Sequence, residues 1–112
     1  MITPDFSKPA FSFVALCGAH FLSRNDGGHA GPFRSDYRCQ FRYAESDEHR
    51  DVDVRVYLVG KESVNDGDDV AIIIAFLDWE RARHQVELGA KFELCEGNVT
   101  IATGVVHAIA IR

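Results

Sequence analysis

Lys91-Phe92-Glu93-Leu94-Cys95-Glu96-Gly97-Asn98-Val99-Thr100-Ile101-Ala102-Thr103-Gly104-Val105-Val106 describes two strands folded back on each other. Glu96-Gly97-Asn98 stands at the tip, and Gly97 and Asn98 are residue types that accept the positive φ of a short hairpin turn. Along the second arm, Ile101, Thr103, Val105 and His107 form one alternating set, and Ala102, Gly104, Val106 and Ala108 the other. Either set can face inward. The small residues of the second suit close approach to a neighbouring strand, which favours it as the core-lining set.

The remaining chain carries the same kind of signal. Including the two arms of the hairpin, six strand candidates cover Phe11–Leu22, Tyr37–Ala44, Val52–Val59, Asp69–Leu77, Lys91–Glu96 and Thr100–Ile111, all rich in β-branched or aromatic residues. Gly18 marks an expected bend or bulge. Val52, Val54, Val56 and Leu58 alternate with Asp53, Arg55 and Tyr57, the pattern of a strand with one wet face. Val70-Ala71-Ile72-Ile73-Ile74-Ala75-Phe76-Leu77 is apolar on both faces, so its outer face needs cover as well. Asp78–Leu88 is the one helix-compatible segment, and it reads as a loop with at most a turn or two of helix. Residues 1–10 read as an extended lead-in, and residues 11–112 as a single all-β domain, a barrel or sandwich. Phe41, Phe92 and Leu94 are expected inside it, together with the Val52 set.

Composition restricts the function. The 112 residues are 46% hydrophobic and 26% charged, ordinary for one globular domain. No apolar run approaches the roughly 18–20 residues that span a bilayer, and no signal peptide is evident, so a cytoplasmic protein without a membrane partner is expected. The three cysteines Cys17, Cys39 and Cys95 are widely spaced, which fits buried reduced thiols better than a disulfide framework. A net charge of −5 counts against autonomous, tight nucleic-acid binding, because phosphate contacts supply most of that affinity.

Catalytic and metal motifs are thin. Gly27-Gly28-His29-Ala30-Gly31-Pro32 lacks the Gly-Lys-Ser/Thr ending of a phosphate loop, so neither nucleotide binding nor GTP hydrolysis is expected. Cys17 and His20 fall on opposite faces of a regular strand, and the histidines show no zinc spacing. Asn65-Asp66-Gly67-Asp68-Asp69 lacks the alternation of a calcium loop and reads as a turn. Glu45, Asp47, Glu48, His49 and Asp51 read as a solvated loop. No cofactor, metal or enzymatic activity is expected.

The second strand carries more. Arg34, Arg38, Gln40 and Arg42 lie two or four residues apart and are expected on one outward face, with Tyr37, Cys39, Phe41 and Tyr43 on the other. Guanidinium forks match phosphate and an amide can donate to a 2′-hydroxyl, while an exposed strand face balanced by nearby carboxylates has the same pattern. Trp79, the single tryptophan, stands beside Arg81 and Arg83. It is either an interface anchor or a cover over Ile73 or Leu77.

The hairpin, together with Gly27-Gly28-His29-Ala30-Gly31-Pro32-Phe33 and Tyr37-Arg38-Cys39-Gln40-Phe41, resembles the third domain of elongation factor Tu. That family shows Gly-Gly-Arg-His-Thr-Pro-Phe, Tyr-Arg-Pro-Gln-Phe and a Glu-Gly turn before Thr-x-x-Gly-Val-Val, in this order. The resemblance implies a closed antiparallel six-stranded β-barrel. It also implies contacts to the T stem of aminoacyl-tRNA and to the nucleotide-exchange factor. Gln40 and Glu96-Gly97 match T-stem positions; His29-Ala30 stands where the family has Arg-His, Cys39 replaces a proline, and Asp78-Trp79 replaces His-Pro. The expectation is therefore a single-domain relative without a GTPase domain, acting as a non-catalytic module that binds a protein partner. RNA binding through Arg34, Arg38, Gln40, Arg42 and the Glu96-Gly97 tip is the alternative.

Overall fold

The computed structural model describes residues 13–22, 33–44, 51–65, 67–83 and 86–111. Its strands are β1 (Phe13–Phe21), β2 (Phe33–Arg34), β3 (Tyr37–Tyr43), β4 (Val52–Leu58), β5 (Ser63–Val64), β6 (Asp69–Phe76), β7 (Lys91–Glu96) and β8 (Val99–Ile111), with helix α1 at Trp79–Ala82. Six of them close a barrel in the order β1-β6-β4-β3-β7-β8, and β2 pairs with β5 in a separate two-stranded sheet. Every pairing in the barrel is antiparallel. Closure satisfies the backbone of every strand and leaves no free edge.

The expected strands are all present, within a residue or two at their ends. The two-residue strands β2 and β5 are additions, too short to leave a periodic signal. The lead-in, the Gly27–Pro32 segment with His29 and Ala30, and the charged loop between Glu45 and His49 lie outside the described residues, as do Asp66 and His84.

Period-two alternation fills the interior as expected on β4, where Val52, Val54, Val56 and Leu58 are all buried. Phe41, Phe92 and Leu94 join them. Tyr57, expected on the wet face, is buried as well, but outside the barrel against Val14 and Ala75. Phe41 stacks on Phe92 at 5.0 Å and meets Phe76 edge-on at 5.2 Å. The outer face of β6 is covered within the chain only toward its end: Ala75 is fully buried beside Val14 and Tyr57, with Ile73 packed against them, while Ala71 is exposed.

On β8 two bulges interrupt the alternation. Leu94 pairs with Ala102 but Cys95 with Thr100, so Ile101 is an extra residue, and both Ile101 and Ala102 are fully buried. Cys17 pairs with Val106 but Leu16 with Ala108, which makes His107 extra. The bulge expected in β1 at Gly18 is therefore on its partner strand: β1 has no extra residue there, and β8 bulges opposite Leu16 and Cys17. It also corrects the inward set: Ala102, Gly104 and Val106 face the core, but beyond His107 the parity flips. Ala108 is exposed and Ile109 packs against the core instead. A bulge adds one residue to one strand, so every later side chain changes face.

Gly104 is required where it stands. A β-carbon there would lie 2.5 Å from the Gly18 carbonyl oxygen and 2.5 Å from the Phe92 ring. At the turn, Gly97 takes φ 59 as expected, whereas Asn98, offered alongside it, is not at positive φ.

Aromatic plugs close both ends. Where β1 ends, Phe33 of β2 packs on Phe21 at 4.8 Å and edge-on against Tyr37 at 5.3 Å. Where β1 begins, α1 folds over the opening. Asp78 caps it by accepting a bond from the Arg81 N–H at 3.2 Å. Trp79 then lies flat on Phe13, 4.7 Å centroid to centroid and 5° between planes, and edge-on against Phe76 at 5.8 Å.

Candidate interaction face

The expected row of four polar residues resolves into three plus one. Arg38, Gln40 and Arg42 project from the outer face of β3, whereas Arg34 belongs to β2. Between them Ser35 and Asp36 turn the chain, with Asp36 at φ 66. An aspartate tolerates this left-handed conformation better than most residues. Arg34 and Arg38 are exposed, and Gln40 and Arg42 are partly buried.

Gln40 connects the row to the hairpin tip. It pairs with Cys95 in the β3–β7 ladder, and its Oε1 accepts a 3.3 Å bond from the Gly97 N–H. Its Nε2 donates to Asp53 Oδ1, also at 3.3 Å. One side chain thus ties β3, β4 and the Glu96-Gly97 turn together. Trp79 lies at the opposite end of the barrel, where β7 begins, so the expected site residues do not form one cluster.

Two cations of this face, Arg42 and Arg55, are paired within the chain, while Arg34 and Arg38 are exposed. Arg42 donates through Nε at 2.8 Å and Nη2 at 2.9 Å to the two oxygens of Asp51. This fork holds the guanidinium's proton still more firmly than usual. Arg55 lies 3.6 Å from Asp36, which also accepts from the Tyr57 hydroxyl at 3.0 Å. Asp51, expected in a solvated charged loop, is instead held by Arg42, and Asp36 and Asp53 were not singled out as partners from the sequence. Asp53 was legible as an outward residue of β4, but its place opposite Gln40 depends on register.

The thiols are held neutral. Burial pushes Cys17 and Cys39 up to about 12, and Cys95 is raised for the same reason despite the nearby Arg42 charge. A thiol in this state is a poor nucleophile. Cys17 and His20 do take opposite faces: Cys17 is buried, and His20 Nδ1 lies 2.8 Å from Asp69 Oδ1 on the outside.

The sequence model of the elongation factor Tu C-terminal domain family matches residues 8–110. The chain belongs to that family. Its match runs from the approach to β1 to one residue short of the end of β8, and the closed barrel agrees with it. Among the described residues, no helix is long and apolar enough to cross a membrane.

The stacking of Trp79 commits most of its ring to packing, against Phe13 and Phe76 and not the expected Ile73 or Leu77. Trp79→Ala is expected to lower stability by about 1–2 kcal/mol, less than a fully buried aromatic because the ring is partly exposed. Urea unfolding measures this; a midpoint equal to that of the wild type would show that the ring does not cover the barrel end.

Proposed function

We propose that this elongation factor Tu C-terminal domain is a non-catalytic, translation-related module that binds a protein partner. Arg38, Gln40, Glu96 and Gly97 form the centre of its contact face, and Arg34 borders it. The observation that carries this reading is that the face is partly neutralised from within, leaving Arg34 and Arg38 as its exposed cations. Arg42 is forked to Asp51, and Gln40 spends both ends of its amide on Asp53 and Gly97. A phosphate backbone needs cations free to replace counterions. A mixed face of alternating sign suits a protein surface, where complementary charges set register and partner choice. The net charge of −5 points the same way.

The test is capture from lysate with the wild-type chain and with the double variant Arg38→Glu, Glu96→Lys. The expected result is a protein recovered repeatedly by the wild type and lost with the variant, while tRNA is not retained even at low salt. Retention of tRNA that falls steeply with added salt would overturn the proposal in favour of RNA. Equal recovery by both chains would remove this face from the contact.

A further inference from the structure

A second surface lies on the β7–β8–β1–β6 side of the barrel, and its side chains form ordered rows. Gly18 of β1 pairs with Ala71 of β6 and with Val105 of β8, which pairs in turn with Lys91 of β7. Across these four strands Gly18, Ala71 and Val105 keep the floor low, and the exposed Lys91 stands at its β7 end. Two residues along, His20, Asp69, Thr103 and Glu93 line up in the same way as a polar wall. The opposite wall is Leu16, 42% exposed, and His107, which the bulge throws outward so that its ring lies over Gly18. Together they enclose an open groove of about 800 Å³.

The dimensions select an occupant. From Leu16 to His20 is four residues, about 13 Å at roughly 3.3 Å per residue, slightly more than the 10–12 Å diameter of a helix. Three interstrand steps of about 4.8 Å give a floor about 14 Å long, enough for between two and three helical turns. Charge selects its flank. Glu93 and Asp69 stand at the two ends of the polar wall; Asp69 is bonded to His20 at 2.8 Å, and Lys91 lies beside Glu93 on β7. Arg42, opposite Glu93 on β3, is already forked to Asp51, so the wall's acidic character is strongest at Glu93.

We infer that this groove receives an amphipathic helix of a protein partner, with small or aliphatic residues on the floor and lysines or arginines along Glu93 and Asp69. The inference rests on the reading of the chain as a protein-binding module, but it uses a different face. Small floor residues let the helix axis approach, and the acidic wall orients it and rejects acidic segments.

The probe is a synthetic fourteen-residue peptide with an Ala/Leu face and lysines along one flank, titrated into ¹⁵N-labelled protein. An isomer with the same residues in scrambled order is the control. Shift changes are expected at Gly18, Ala71, Thr103 and Val105, with the isomer binding at least about tenfold more weakly. Ala71→Trp, which fills the exposed floor, should weaken binding about tenfold, and Glu93→Gln with Asp69→Asn several-fold. The carboxylate variants keep the test decisive if Ala71→Trp fails to fold. Equal binding of the isomer, or shifts centred elsewhere, would overturn the inference. In lysate, a partner retained by Ala71→Trp but lost with Arg38→Glu, Glu96→Lys would also end it, while leaving the module reading intact.

Discussion

Phe92→Ala is expected to destabilise the barrel by about 3–5 kcal/mol, through lost transfer energy and the cavity left behind. The ring is 1% exposed, stacks on Phe41, and covers the backbone of β8 at Gly104. No neighbour can collapse into its place easily, because Phe41 is itself held edge-on by Phe76. At roughly 4 °C per kcal/mol for a domain of this size, the melting temperature should fall by more than about 10 °C. Calorimetry or urea unfolding measures it. A loss below about 1 kcal/mol would mean that Phe92 does not sit at the centre of the core.

Gly104→Ala acts on the same contact from the other side. It adds one carbon where two atoms already lie within 2.5 Å. One belongs to a ring that can tilt; the other is the Gly18 carbonyl oxygen, part of the β1 backbone. The expected cost is about 3 kcal/mol, at the upper end for overpacking, since a backbone atom must move. Pairing it with Phe92→Leu separates the two contributions by a double-mutant cycle. Relief should be partial: the ring yields and the carbonyl does not. Full rescue would show that the β1–β8 approach is looser than it looks.

The barrel was legible because its strongest signals are local. The Val52–Leu58 alternation and the Glu96-Gly97-Asn98 tip each specify a strand or turn without reference to distant residues. The two bulges were not. Ile101 and Ala102 are both apolar, so a residue inserted there leaves the hydrophobic pattern plausible in either register. At His107 the parity change moves Ala108 outward and Ile109 inward, an exchange of one small apolar residue for a larger one. Short strands β2 and β5 gain their pairing from the aromatic plug around Phe33 and Val64, a tertiary effect. For the contact face, the sequence supplied the outward row on β3 and the matched tip. It could not supply the partners. Asp51 and Asp53 reach Arg42 and Gln40 only through the β3–β4 register, and those contacts turn a cationic row into a mixed one.

The ring of strands is completed by its first and last members: Phe13 pairs with Ile111, and the two strands stay paired to Phe21 and Ala102. During synthesis, β1 is the first of the barrel strands to emerge and its partner β8 the last of them. Until β8 is released, β1 and β7 each present a row of unsatisfied amides and carbonyls, which are templates for pairing with other chains. Ring closure joins residues nearly a full chain apart, and such non-local pairing is slow. The polypeptide is therefore most vulnerable to misassembly while its final strand is still being made, and it loses both edges in a single event.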